Sequence, residues 1–167
     1  DDTITVTAGT AAHGDNAAVT PGLPAGIVAG ESLLLFAAIR NTAATVNTPA
    51  GWTIAVGGSV GHMMVFTRTA TAAEVAPTVT FSGGAAGDTT SAVMTRIENA
   101  RPVHTTRVGP SNPSAQDIPI DVIDLLSTTN VDRQIAIACA WKQDDYTSVA
   151  PPAGWTEVIE ASTITGN

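Results

Sequence analysis

The chain of 167 residues is short of charge, of aromatics and of cysteine. Its only lysine is Lys142, and seven basic residues face fifteen acidic ones for a net charge of −8. No stripe of positive charge is left to hold a phosphate backbone, so nucleic acid is not an expected partner. Charged residues make up 13%, against roughly 25% in an ordinary soluble domain, and Ala, Thr, Gly and Ser fill the deficit. A surface so weakly hydrated by charge suits a protein covered by neighbours in an assembly or working outside the cell. An Ala/Thr-rich genome bias gives the same composition. The single Cys139 cannot form an internal disulfide and leaves the redox compartment open; within the apolar run Ile135–Trp141 it reads as a buried, inert thiol.

Long hydrophobic runs are missing too. Leu33–Ile39 falls far short of the ~20 residues that a membrane helix needs, and the acidic start Asp1-Asp2 is the opposite of a signal peptide's basic end. No membrane span and no targeting segment are expected. Helix signals are nearly absent, because Gly, Pro or β-branched residues interrupt every window of three-to-four apolar spacing.

What is present is strand chemistry. Thr3–Thr7 and Thr78–Ser82 alternate strictly, placing Ile4 with Val6 and Val79 with Phe81 on single faces. Leu33–Ile39, Met63–Phe66 and Ile135–Trp141 are apolar on both parities, as in strands covered on both sides. Turn chemistry separates them at His13–Asn16, Pro21–Pro24, Gly57-Gly58, Ser82–Gly84 and Gly87-Asp88. A further strand is expected over Ala92–Ile97. Short turns of helix fit Thr71–Glu74 and the spacing of Asp117, Asp121 and Asp124. The expected fold is all-β: an antiparallel β-sandwich, jelly-roll-like, with an internal duplication and little helix. One domain spans 1–167, with a first half over about 1–102, a crossover over about 103–131 and an incomplete second repeat over about 132–167.

The duplication rests on one element. Pro49-Ala50-Gly51-Trp52-Thr53 recurs as Pro152-Ala153-Gly154-Trp155-Thr156, each copy about a dozen residues after an apolar strand. The proline fixes φ, the glycine permits a left-handed bend, and the tryptophan opens the next strand while capping the core. Trp52, Ile54 and Val56 are expected on one face; the matching Trp155, Glu157 and Ile159 imply a less buried hairpin. A tryptophan placed so is ordinarily a packing plug, and the sharper alternative is a sugar-stacking platform. Strands matching Met63–Thr67, Thr78–Phe81 and Ala92–Ile97 do not follow the second copy. The expectation is either a fragment of a longer protein or strands supplied by another subunit.

These pieces resemble a family of β-sandwich domains with a repeated PPAGWT hairpin, common in predicted tail, tail-fibre and head-associated proteins of tailed bacteriophages. The matching segments are Val28–Leu35, Thr48–Thr53, Val65–Glu74, Ile97–Val103 and Pro151–Thr156. The resemblance implies a structural or adhesive role on the virion surface, with other virion proteins and further copies of the chain as partners, and it carries over no active residues. The truncated second half departs from the pattern.

Catalytic and metal signatures are missing. There is no phosphate-binding Gly-rich loop, no Gly-x-Ser-x-Gly elbow and no His-Glu-x-x-His. His13, His62 and His104 are far apart and read as ordinary loop histidines. Asp144, Asp145 and Tyr146, beside Lys142 and near Trp141, form the one compact polar and aromatic cluster. It reads as a solvated loop, or as a contact for a protein partner, a glycan or weakly held calcium. Glu31, Glu74, Glu98, Glu157 and Glu160 are scattered, so a hydrolase with paired carboxylates ranks last. No enzyme activity, cofactor or resident metal is expected. The leading expectation is a phage virion protein, a capsid decoration or a tail or fibre component; the alternative is a carbohydrate-binding adhesin module for a host-surface glycan.

Overall fold

The computed structural model describes residues 3–56, 61–100, 137, 150–151 and 153–159. Among them there is no helix, and every strand pair is antiparallel. The fold is all-β and antiparallel, consistent with a sandwich. No helix of the described residues is long and apolar enough to cross a membrane.

The central strand is β3 (Ser32–Ile39), with β6 (Met63–Thr69) on one side and β8 (Thr89–Glu98) on the other. β5 (Thr53–Val56) adds beyond β6, with a register shift between Ile54 and Val56. The free edge of β8 is shared by two short strands, β1 (Thr5–Ala8) against its end and β2 (Ala12–Asp15) against its start. β4 (Thr45–Val46) and β7 (Phe81–Ser82) form a separate two-stranded ribbon, and Val19 and Val79 exchange both backbone hydrogen bonds beside it.

Strand alternation splits the sheet into two faces. Leu33, Leu35, Ala37 and Ile39 share one with Met64 and Phe66 of β6 and with Ala92 and Met94 of β8. That face packs against Val19, Ala44, Val46, Trp52 and Val79, with Ile27 and Phe81 at its margin, to form the core. Phe66, Leu33, Leu35 and Met94 are sealed from water, each contributing about 1.5–3 kcal/mol by burial. The opposite face carries Leu34, Phe36 and Ala38 between Met63, Val65 and Thr67 and Ser91, Val93, Thr95 and Ile97.

Leu33–Ile39 is buried on both parities as its composition requires, only Phe36 being partly open. The alternation at Val79/Phe81 holds, with Thr78, Thr80 and Ser82 exposed; that at Ile4/Val6 holds through Thr3 and Thr5, which are exposed, and ends at Thr7, which is half-buried like Val6.

Four expectations are corrected. Met63–Phe66 alternates between half-buried and buried, because only Met64 and Phe66 face the core. His13–Asp15 is strand, not turn: a Cβ on Gly14 would sit 3.0 Å from Thr90 Oγ1, so this glycine serves close strand packing, and the bend begins at Asn16 with φ 45°. Thr71–Glu74 is a turn without helix. Trp52 and Ile54 do not share a buried face: Trp52 precedes β5 and enters the core, whereas Ile54, opposite Phe66 on the outermost strand, is 47% exposed. Gly57-Gly58, the crossover over 103–131 with its three aspartates, and most of 132–167 lie outside the described residues.

Candidate functional site

The first Pro-Ala-Gly-Trp element is a closed turn. Trp52 N–H donates to the Pro49 carbonyl at 3.1 Å, and Gly51 has φ +77°, the positive value that the third residue of a type II turn requires. Trp52 follows directly and is 6% exposed within the core. Its indole Nε1–H is buried without a hydrogen-bond partner. A ring so enclosed is a packing plug and offers no stacking surface to a sugar.

Arg68 lies against this turn, its guanidinium 3.6 Å from where a Gly51 Cβ would be. Arg68 Nη1 pairs with Glu74 Oε1 at 3.3 Å, and the Glu74 side chain is only 3% exposed. Glu74 Oε2 accepts from the Thr71 N–H at 2.9 Å and the Thr71 hydroxyl at 3.1 Å, so one carboxylate closes its own turn and anchors the arginine.

A matching arrangement stands across β3. Arg96 pairs with Glu98 at 2.9 Å and with Glu31 at 3.5 Å, and donates to the Gly26 carbonyl. Gly26 has φ +72°, and a side chain there would meet the guanidinium. Glu31 in turn accepts from the Val28 N–H at 2.8 Å. Gly30 N–H donates to the Ala70 carbonyl and Ala70 N–H to that of Glu31, which ties the loop over 22–31 to the one that begins at Ala70. Three large apolar side chains project from these braced loops: Leu23 at 42%, Val28 at 61% and Val75 at 74% exposure.

At the other end of the sheet, Asp88 accepts from the Ala85 N–H at 2.7 Å and from Asn41 Nδ2 at 3.0 Å, while Asp15 accepts from the Gly87 N–H at 2.6 Å. These bonds, the one from Ala85 first, hold the Asp88 carboxyl below its ordinary pKa, with Arg40 helping. Burial lowers the pKa of His13 and of His62. Among the described residues no group of three or more His, Cys, Asp or Glu is placed to hold a metal ion.

In the second element Gly154 also has a positive φ, +85°, but Trp155 is 37% exposed. Pro152, Trp141, Asp144, Asp145 and Tyr146 lie outside the described residues, as do Lys142 and His104. The structure therefore joins Pro49, Gly51 and Trp52 in one turn, with Arg68 against Gly51 and Glu74 paired to Arg68. It also unites two of the scattered glutamates, Glu31 and Glu98, at Arg96. The arginine networks were not anticipated. Their one available signal was Thr71-x-x-Glu74, a capping-box spacing; the registers that set Arg68 and Arg96 beside Leu33 come from the sheet pairing. No protein-family model, curated protein or solved structure matches the chain.

Proposed function

We propose that this chain is a non-enzymatic structural protein of a phage virion, a capsid decoration or a tail or fibre component, acting at the particle surface through protein–protein assembly. Its partners are other virion proteins and further copies of itself. The observation that supports this reading is the braced end of the sheet, where Leu23, Val28 and Val75 project from loops held by two arginine–glutamate networks. Apolar tips on pre-organised loops lose little conformational freedom when a protein partner buries them. The acidic side chains around them are engaged in holding loop amides and arginines, which is structural work.

The test is sedimentation of the purified chain and its recovery with intact particles. A symmetric oligomer or particle-bound protein, weakened by Val28→Asp or Val75→Asp without loss of β structure, is the expected result. A chain that remains monomeric and never copurifies with particles would overturn the proposal.

The exposure of Trp155 favours a second reading, a carbohydrate-binding adhesin module for a host-surface glycan. Glycan-array binding lost in Trp155→Ala at unchanged melting temperature would support it, and no binding by the wild-type chain would dismiss it.

A further inference from the structure

We propose that the outward face of the ribbon formed by β4 and β7 is a binding surface for a neutral polysaccharide. The ligand class rests on the glycan reading above, but the site lies on the ribbon and not at Trp155.

Strand alternation builds the face. Val19, Val46 and Val79 point inward and are buried in the core, so Thr20, Thr45, Asn47, Thr78, Thr80 and Ser82 point the other way. The antiparallel registers set these six in three facing pairs: Thr20 with Thr78, Asn47 with Thr80, and Thr45 with Ser82. All are exposed except Asn47, which is half-buried. Successive rows lie about 6.8 Å apart, twice the rise per residue of an antiparallel strand.

The side chains hold one another in place. The hydroxyls of Thr20 and Thr78 share a hydrogen bond at 3.0 Å. The Asn47 amide donates to the Thr80 hydroxyl at 3.1 Å and to the Ser82 hydroxyl at 3.0 Å, and its oxygen accepts from Ser82 at 3.1 Å. These bonds fix the rotamers before a ligand arrives, which lowers the entropy lost on binding. They do not exhaust the groups. A hydroxyl donates once and accepts twice, so Thr80, which accepts from Asn47, keeps a proton to give and a lone pair to accept with.

The chemistry of the face selects the ligand. None of the six side chains is charged, in a chain of net charge −8, so an ion or a phosphate finds no counter-charge among them. None is large and apolar, so the face offers little to the hydrophobic centre of a protein interface. Hydroxyls and an amide that both donate and accept match sugar hydroxyls, which do the same. A polymer of neutral sugars repeats that match from row to row.

The net charge of −8 carries the full chain into a native gel, where dextran, mannan or xylan cast into the gel is the probe. At least one of them is expected to slow the protein. Thr78→Val combined with Thr80→Val keeps both side chains β-branched. This pair should raise the polymer concentration needed for half retardation at least about tenfold, as the loss of two hydrogen bonds predicts. Ser82→Ala should raise it less, and Trp155→Ala should leave it unchanged, with circular dichroism and melting temperature confirming the fold of each variant. No retardation by any of the three polymers overturns the proposal; short or charged glycans bound on an array would still leave the adhesin reading standing. Retardation that survives the valine pair and Ser82→Ala, or that is lost in Trp155→Ala, overturns the ribbon site alone. A wild-type dimer that the valine pair dissociates in sedimentation would also overturn it, by assigning the face to a second copy.

Discussion

Arg68 and Arg96 stand opposite Leu33 in one register row, one on each neighbouring strand. Each guanidinium lies against a glycine with positive φ, Gly51 for Arg68 and Gly26 for Arg96. A single row of the sheet therefore braces both the Pro-Ala-Gly-Trp turn and the loop over 22–31.

Removing Glu74 should loosen the first brace. Its side chain is 3% exposed while that of Arg68 is 26% exposed, and losing the hydrogen bonds that this carboxylate accepts costs about 1.5–3 kcal/mol. Urea unfolding of Glu74→Ala should show that loss, with Glu74→Gln retaining part of the stability through Thr71. Equal stability of Glu74→Ala and wild type would contradict the brace.

The two tryptophans should separate. Trp52→Ala is expected to cost about 3–5 kcal/mol. Trp52→Phe should cost clearly less, since it also removes the orphaned indole N–H. Trp155→Ala should change stability by about 0.5 kcal/mol or less, as exposed positions do. Thermal melts of the three variants decide the order.

Gly9 is expected to tolerate no side chain. A Cβ there would lie 2.0 Å from the Gly22 carbonyl oxygen and 2.7 Å from its carbon, both backbone atoms that have no rotamer to yield. Gly9→Ala should reach the upper end of the 1–3 kcal/mol cost of overpacking. Gly87→Ala meets no atom within 4 Å, so it should cost only the about 1–2 kcal/mol of left-handed backbone. Comparing the two unfolding midpoints separates steric from backbone strain.

Acidification should destabilise the fold in two windows. Folded His62 and His13 hold their protons less tightly than the ordinary value of 6.5, so the unfolded chain takes up protons first and stability falls as pH drops below that value. Asp88 lies below its ordinary 3.8; its contribution is complete above that pH and is lost as pH falls through the folded value. Denaturation midpoints against pH should show both steps, with His62→Gln reducing the upper one and Asp88→Asn removing part of the lower.

The strands were legible where chemistry is local. Leu33–Ile39 announces a central strand because no residue in it tolerates water, and Thr78, Val79 and Thr80 alternate because one side is wet. The sequence also signalled the turn at Gly51, since a positive φ leaves little choice of residue. Partners distant in the chain were not legible. Arg96 meets Glu31 only because β3 and β8 pair, and Ile54 stays exposed only because β5 is outermost. Both facts belong to topology, which composition does not encode.

The sharing of β8 by β1 and β2 has a consequence for how the chain comes to be made. Residues 5–15 have no lattice to join until Thr89–Glu98 exists, so these two strands are made well before the partner that holds them. Until they pair with it, the ten residues of β8 are an open border, a template for any extended segment that arrives first. A neighbouring chain's residues 5–15 fit it as well as its own do, and exchange of that arm would link nascent molecules without a single new contact.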